Sequence, residues 1–116
     1  MKKLLTILGL LLFYTNMAFS QSSPCKEDIC VVQFNAGWNS ANDVKWVNEL
    51  SDCGVKYIDI AENTKMQDKY QIVVVPTIIV FNGEEVKRFQ ADISFAMKAT
   101  KKDIQNVVDE ILMEGF

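Results

Sequence analysis

Hydrophobic and polar residues alternate along this chain in patterns that predict four strands and three helices. Residues 29–36 are rich in β-branched and aromatic side chains, which predicts the first strand. A helix should follow, because three apolar residues share one helical face: Val44, Val47 and Leu50. The capping-box spacing of Ser40 and Asp43 marks its start, and Gly54 marks its end.

The remaining elements are a strand from Val55 to Ile60, a short helix at residues 63–70, and a closing helix at residues 100–112. Thr100 and Asp103 form a second capping box at the start of the closing helix.

A hairpin lies before that closing helix. Pro76 cannot donate to a sheet ladder, so the third strand should begin at Thr77. Asn82-Gly83 is a strong turn signal that joins it to a fourth strand at residues 85–90. The order β-α-β-α-β-β-α predicts an α/β fold: a four-stranded mixed sheet flanked by helices, with the first two strands parallel and the hairpin antiparallel.

The first 20 residues have the layout of a signal peptide. Lys2 and Lys3 precede an apolar run at residues 4–13, and Ala18-Phe19-Ser20 places small residues at the cleavage site. The alternative is a membrane anchor, but the run is about half of the roughly 20 residues that a span needs. We therefore predict an exported protein, periplasmic or secreted, without a stable membrane anchor after cleavage. Residues 21–28 form a polar lead, and residues 29–116 form one domain.

Charge and composition narrow the function. Without Lys2 and Lys3, 10 of the 12 basic residues remain against 15 acidic residues, and the formal net charge moves from −3 to −5. An acidic domain disfavours nucleic acid as a partner. The chain has no His, which removes the commonest metal ligand and general base, so we predict no cofactor and no metal site.

Three motifs in order resemble the thioredoxin superfamily, over about residues 29–112. Val32-Gln33-Phe34-Asn35-Ala36-Gly37-Trp38 is similar to the strand and Trp before a thioredoxin active site, Val75-Pro76-Thr77 to the cis-proline loop, and Phe81-Asn82-Gly83-Glu84 to the hairpin. The resemblance implies a thioredoxin-like fold.

The redox motif of that superfamily is missing. Thioredoxins have Cys-x-x-Cys after the Trp, and here Asn39-Ser40-Ala41-Asn42 follows Trp38. Dithiol exchange needs an attacking thiolate and a resolving thiol, and an amide is neither. Gln33 also replaces the buried acid of similar thioredoxins. Asn39 and Asn42 therefore mark former redox positions, and Asn39 and Ser40 could simply cap the helix.

The resemblance suggests a redox-inactive module that binds a protein or an extended peptide. Its groove would comprise Trp38, Asn39, Val75 and Pro76, although Pro76 could merely shape the start of a strand. The alternative is a thiol-disulfide oxidoreductase that uses one of the three remaining cysteines.

Those cysteines allow three single pairings. Cys30 opens the first strand and Cys53 precedes the second, parallel strand, so we rank Cys30–Cys53 first, at about 3 kcal/mol in the loop-entropy model. Cys25–Cys53 is the competitor. Cys25–Cys30 is ranked last, because a run that enters a strand should keep its ends apart.

The lead is too short for the extra strand and helix that full thioredoxins carry before the active-site strand. The strand from Val55 to Ile60 should therefore lie at a sheet edge, which the lead, a partner or a second copy in a homodimer could cover.

Overall fold

The computed structural model describes residues 22–115, so the predicted signal peptide lies outside the described residues. One mixed sheet organises this part of the chain, in the order β2-β1-β3-β4. Its strands are β1 at Ile29–Asn35, β2 at Gly54–Asp59, β3 at Thr77–Asn82 and β4 at Glu84–Gln90. β1 runs parallel to β2 and antiparallel to β3, and β3 and β4 form an antiparallel hairpin. The predicted four-stranded mixed sheet, with its parallel first pair and its antiparallel hairpin, is confirmed.

Two α-helices cover opposite faces of the sheet. Helix α1 spans Thr64–Lys69 and is capped by Asn63, whose side chain accepts a hydrogen bond from the Met66 N–H. Helix α2 spans Lys101–Glu114, and the predicted capping box of Thr100 and Asp103 is present. No helix between residues 22 and 115 is long and apolar enough to cross a bilayer.

The alternation of side chains along β1 divides the core into two layers. Cys30, Val32 and Phe34 pack with Tyr70 on the face that α1 covers. On the opposite face, Val31 and its neighbours pack against the buried residues of α2: Ile104, Val107 and Val108. The central strands β1 and β3 are therefore buried on both sides.

The predicted helix between β1 and β2 is wrong. Two 3₁₀ segments stand in its place, at Gly37–Asn42 and Lys45–Glu49, and no side chain caps the first of them. The predicted Ser40–Asp43 capping box is also wrong, because Ser40 contributes only its carbonyl oxygen, which accepts from the Asp43 N–H at 3.0 Å.

Gln33 explains the break between the two segments. Its side chain donates to the Val44 carbonyl at 3.1 Å and accepts from the Val44 N–H at 2.7 Å. The Val44 N–H is thereby withdrawn from helical pairing, whereas the Val44 carbonyl also accepts from the Val47 N–H at 3.4 Å; Val44 itself has an extended conformation.

β2 lies at the sheet edge, as expected. Within residues 22–28 the lead pairs with the hairpin instead: Ser22 bridges Glu84, and the Ser23 N–H donates to the Gly83 carbonyl at 2.8 Å. It touches β2 near that strand's start, where Lys56 donates to the Pro24 carbonyl at 3.4 Å. The homodimer through β2 stays a prediction.

Candidate functional site

The candidate site lies where β1 ends and the first 3₁₀ segment begins. The Asn39 N–H donates to the Ala36 carbonyl at 2.8 Å, which closes a tight turn. This turn buries Asn39, which is 6% exposed, and leaves the neighbouring Trp38 68% exposed. The Trp38 ring stands edge-on against Phe95, with ring centroids 5.5 Å apart.

The Asn39 side chain joins this turn to the proline loop. Its Nδ2 donates to Asn35 Oδ1 at 3.1 Å and to the Val75 carbonyl at 3.4 Å. Its Oδ1 accepts from Asn42 Nδ2 at 2.8 Å. Asn35 returns a bond from its own Nδ2 to the Asn39 carbonyl at 3.2 Å. The amide therefore holds two separate segments of the chain together.

Asp43 extends the network to the sheet edge. Its Oδ1 accepts from Asn35 Nδ2 and, at 3.0 Å, from the Tyr57 hydroxyl. Partial burial, followed by the bond to Asp43, raises the pKa of Tyr57 to about 12. Tyr57 therefore remains a protonated donor throughout the physiological range.

The proline loop faces the same turn. The Val75–Pro76 peptide bond is cis, and both residues are buried. Thr77 Oγ1 donates to the Val74 carbonyl at 2.7 Å, and the Ala91 N–H donates to the Pro76 carbonyl at 3.0 Å. These bonds attach the loop to β3 on one side and to the segment after β4 on the other.

A tight loop after β4 completes the surroundings. Asp92 Oδ1 accepts from the Ser94 N–H at 2.8 Å and from the Ala96 N–H at 3.4 Å. The hydrogen bonds from Ser94 are the main reason that the pKa of Asp92 is lowered to about 2. Phe95 has a φ of +63°, and Ile93 is 95% exposed. The loop thus places Phe95 beside Trp38 and exposes the apolar side chain of Ile93 to solvent.

Asn39 and Val75, both proposed as groove residues, are in direct contact, with Trp38 and Pro76 next to them in sequence. Asp43 and Phe95 are neighbours of this site that no sequence pattern indicates. The capping-box spacing places Asp43 at a helix start, and Phe95 lies in a segment without a periodic pattern, so no local signal joins either residue to Trp38 or Asn39.

The cysteine pairing was predicted wrongly. The disulfide joins Cys25 to Cys30, with a Cα–Cα distance of 6.3 Å, and Cys53 is free. Cys30 packs in the layer under α1, whereas Cys53 packs against the layer under α2. The sheet therefore separates the two thiols that had been ranked first. The bend of residues 24–28, which folds the lead back, brings Cys25 to Cys30.

This disulfide lies far from Trp38. Cys30 is the second residue of β1, and Asn35 is the last. At roughly 3.3 Å per residue, the two ends are about 16 Å apart. The disulfide and the Asn39 turn therefore occupy opposite ends of the sheet.

Thioredoxins are among the solved structures that are similar to this chain. One from Schistosoma mansoni has a TM-score of 0.58 at 22% identity, covering 75% of this chain and 80% of that chain. A Plasmodium falciparum thioredoxin gives 0.55 at 18% identity, with coverages of 81% and 87%. A mutant thioredoxin from Halobacterium salinarum gives 0.56 at 22% identity, with coverages of 72% and 74%.

No protein-family model and no curated protein matches the chain. The structural likeness defines a thioredoxin-like α/β protein by its fold. Its one disulfide has a Cys-x₄-Cys spacing and lies outside residues 39–42.

Proposed function

We propose that this protein is an exported, redox-inactive thioredoxin-like module that binds a protein or an extended peptide through the groove of Trp38, Asn39, Val75 and Pro76. In this proposal, Asn39 and Asn42 stand where thioredoxins carry their cysteine pair. The observation that carries it is the Asn39 amide, which bonds to Asn35 and to Val75 where a nucleophilic sulfur would be needed.

The backbone of the proline loop offers a place for an extended chain. Among the described residues, the Val75 N–H has no backbone acceptor. A bound peptide could provide that acceptor, and main-chain pairing of this kind needs no sulfur.

Exposed apolar side chains would supply the contact area. Trp38 and Ile93 are largely exposed, and Phe95 supports the Trp38 ring from the side. Large aromatic residues dominate the energy of many interfaces, because they bury much area with few rotatable bonds.

A peptide display selection on the full protein tests this proposal. Selected peptides should bind Trp38→Ala about 30-fold more weakly, the ratio for a hot spot of roughly 2 kcal/mol. The matched control is Val86→Ala, an exposed apolar residue on β4, which should leave the affinity unchanged. If the selected peptides bind Trp38→Ala and Val86→Ala with the same affinity as the unmodified protein, the binding site lies elsewhere.

The alternative function is thiol-disulfide exchange, and the Cys25–Cys30 disulfide is the observation that favours it. Against it, the Cys30 side chain is fully buried, and no helix begins at either cysteine to stabilise a thiolate. Turnover of a model disulfide that persists in Trp38→Ala and disappears in Cys25→Ala would establish this alternative over groove binding.

A further inference from the structure

Three potential metal ligands converge at the start of β1. Cys25, Glu27 and Cys30 each offer one ligand atom, and these atoms all lie within 4.8 Å of one another. Two sulfurs and one carboxylate form a donor set that suits zinc. The spacing Cys-x-Glu-x-x-Cys is visible in the sequence, but the two sulfurs and the carboxylate meet only because the lead folds back.

Gly54 makes room for the Glu27 carboxyl group. A Cβ at Gly54 would lie 2.6 Å from Glu27 Cδ, which is closer than two carbon atoms that are not bonded to each other approach. Gly54 also pairs with Cys30 in the register of β1 and β2, so this space lies beside the disulfide. None of the three ion pairs between described residues includes Glu27. Its carboxylate is therefore placed next to sulfur without a cationic partner.

The surroundings fix the lead and leave the carboxylate accessible. The Ser23 N–H bonds to the hairpin, and the Pro24 carbonyl accepts from Lys56, so the segment before Cys25 is held at two points. A cleft of about 310 Å³ opens beside Glu27 and Gly54. A cation and its water ligand can reach the carboxylate through this cleft.

We propose that reduction of the Cys25–Cys30 disulfide creates a three-ligand site for a thiophilic divalent cation of the zinc class. An external dithiol, which becomes a disulfide, or a phosphine, which takes the oxygen of a water molecule and becomes a phosphine oxide, supplies two electrons. The S–S bond breaks, and each sulfur takes up one of the two protons released by the dithiol or by the water. The cation then displaces both protons to solvent and binds the two thiolates and one Glu27 oxygen. Water takes the fourth position.

The donor set also determines the selectivity. Thiolates favour Zn²⁺ and Co²⁺ over Mg²⁺ and Ca²⁺, which prefer oxygen ligands. In a tetrahedral zinc site two sulfurs at 2.3 Å from the metal lie roughly 4 Å apart, so the sulfurs must separate after reduction. Cys30 is held in β1, so this adjustment falls to Cys25, which lies outside the sheet and after the two points at which the lead is held.

Cobalt titration of the full chain, reduced anaerobically with a phosphine, tests the proposal. We expect one equivalent of Co²⁺ to give thiolate-to-cobalt charge transfer in the near ultraviolet and the visible bands of tetrahedral cobalt, and Zn²⁺ to displace it. Magnesium should not compete. The oxidised protein should give neither absorption.

Two matched variants separate Glu27 from general acidity. Glu27→Gln should weaken the binding of Zn²⁺ at least about tenfold, the loss that even an outer-shell partner commonly causes. Asp28→Asn, an exposed acid one residue away, should leave the affinity unchanged. Cys53 lines the same cleft as Glu27, but it packs against the face of the sheet opposite to Cys30, so Cys53→Ser should retain the full cobalt spectrum.

The Glu27→Gln and Asp28→Asn variants keep both cysteines of the disulfide, so each can be purified in the oxidised state before reduction. Circular dichroism of the reduced protein with and without Zn²⁺ then shows whether the metal restores any lost structure. Absence of thiolate-to-cobalt charge transfer in the reduced protein, or equal losses in Glu27→Gln and Asp28→Asn, would overturn the proposal. The groove around Trp38 plays no part in either outcome.

Discussion

Truncation of Asn39 to alanine tests the amide network most directly. The change removes the donor to Asn35 Oδ1, the donor to the Val75 carbonyl and the acceptor of the Asn42 bond. Asn35 is fully buried, so its Oδ1 would lose this donor without access to solvent. An orphaned buried acceptor costs about 1–3 kcal/mol, and each lost neutral hydrogen bond costs about 1 kcal/mol.

The bond to Val75 is long and the Asn42 side chain is partly solvated, so we expect Asn39→Ala to lower the free energy of unfolding by about 2–3 kcal/mol. For a domain of this size, that is a fall in Tm of roughly 10–20 °C. Urea unfolding followed by circular dichroism measures the change, and an unchanged m-value would show that the unfolded state is unaffected.

The matched control is Asn42→Ala, which removes a single partly solvated bond and should cost less than about 1 kcal/mol. Asn39→Asp should be more destabilising than Asn39→Ala at neutral pH, because its carboxylate would face the Asn35 and Val75 oxygens. If Asn39→Ala costs no more than Asn42→Ala, the amide does not hold the two segments together.

Three further predictions concern the Cys25–Cys30 disulfide, the two hydrogen bonds between Gln33 and Val44, and the carboxylates of Asp92 and Asp103. Cys25→Ala should lower the free energy of unfolding by about 2 kcal/mol, the loop-entropy value for so short a ring, and reductant should then no longer alter its urea midpoint. Gln33→Leu leaves the Val44 N–H unpaired and removes one of the two donors to the Val44 carbonyl, and it should cost about 2–4 kcal/mol in the same assay. Hydrogen bonds lower the pKa of the partly exposed Asp92 and of the exposed Asp103, so their stabilisation is present above the ordinary value of 3.8 and is lost as the pH falls through the folded values. In acid titrations followed by circular dichroism, Asp92→Asn should therefore flatten the loss of stability between pH 3.8 and about 2, and an unchanged profile would contradict this assignment.

Local signals in the sequence were sufficient to predict the sheet and the closing helix. Pro76 sets the start of β3, Asn82-Gly83 sets the turn, and Thr100 with Asp103 sets the start of α2. Each depends on a backbone conformation or a hydrogen bond within a few residues. Neighbours in sequence therefore contain the necessary information.

The segment between β1 and β2 shows what local patterns leave out. Val44, Val47 and Leu50 are buried on one side as predicted, but their spacing of three residues is the repeat of a 3₁₀ helix. The decisive contact comes from Gln33, 11 residues before Val44, and no local propensity describes it.

The disulfide required a register that the sequence does not supply. Cys30 pairs with Gly54, so Cys53, one residue earlier, belongs to the opposite side of the pleat. Two strand starts can lie side by side while their thiols point apart. Only the alignment of β1 with β2 distinguishes these cases.

The path of the lead also determines how the protein can be mounted. Ser22 is tied to the hairpin turn and to the Tyr70 hydroxyl, which donates to its carbonyl at 2.9 Å. The turn adjoins the first residue of β1, whereas Trp38 follows the last. A dye or carrier attached ahead of Ser22 is therefore attached at the end of the sheet opposite to Trp38. Immobilisation through such a carrier leaves the Trp38 ring facing the solution.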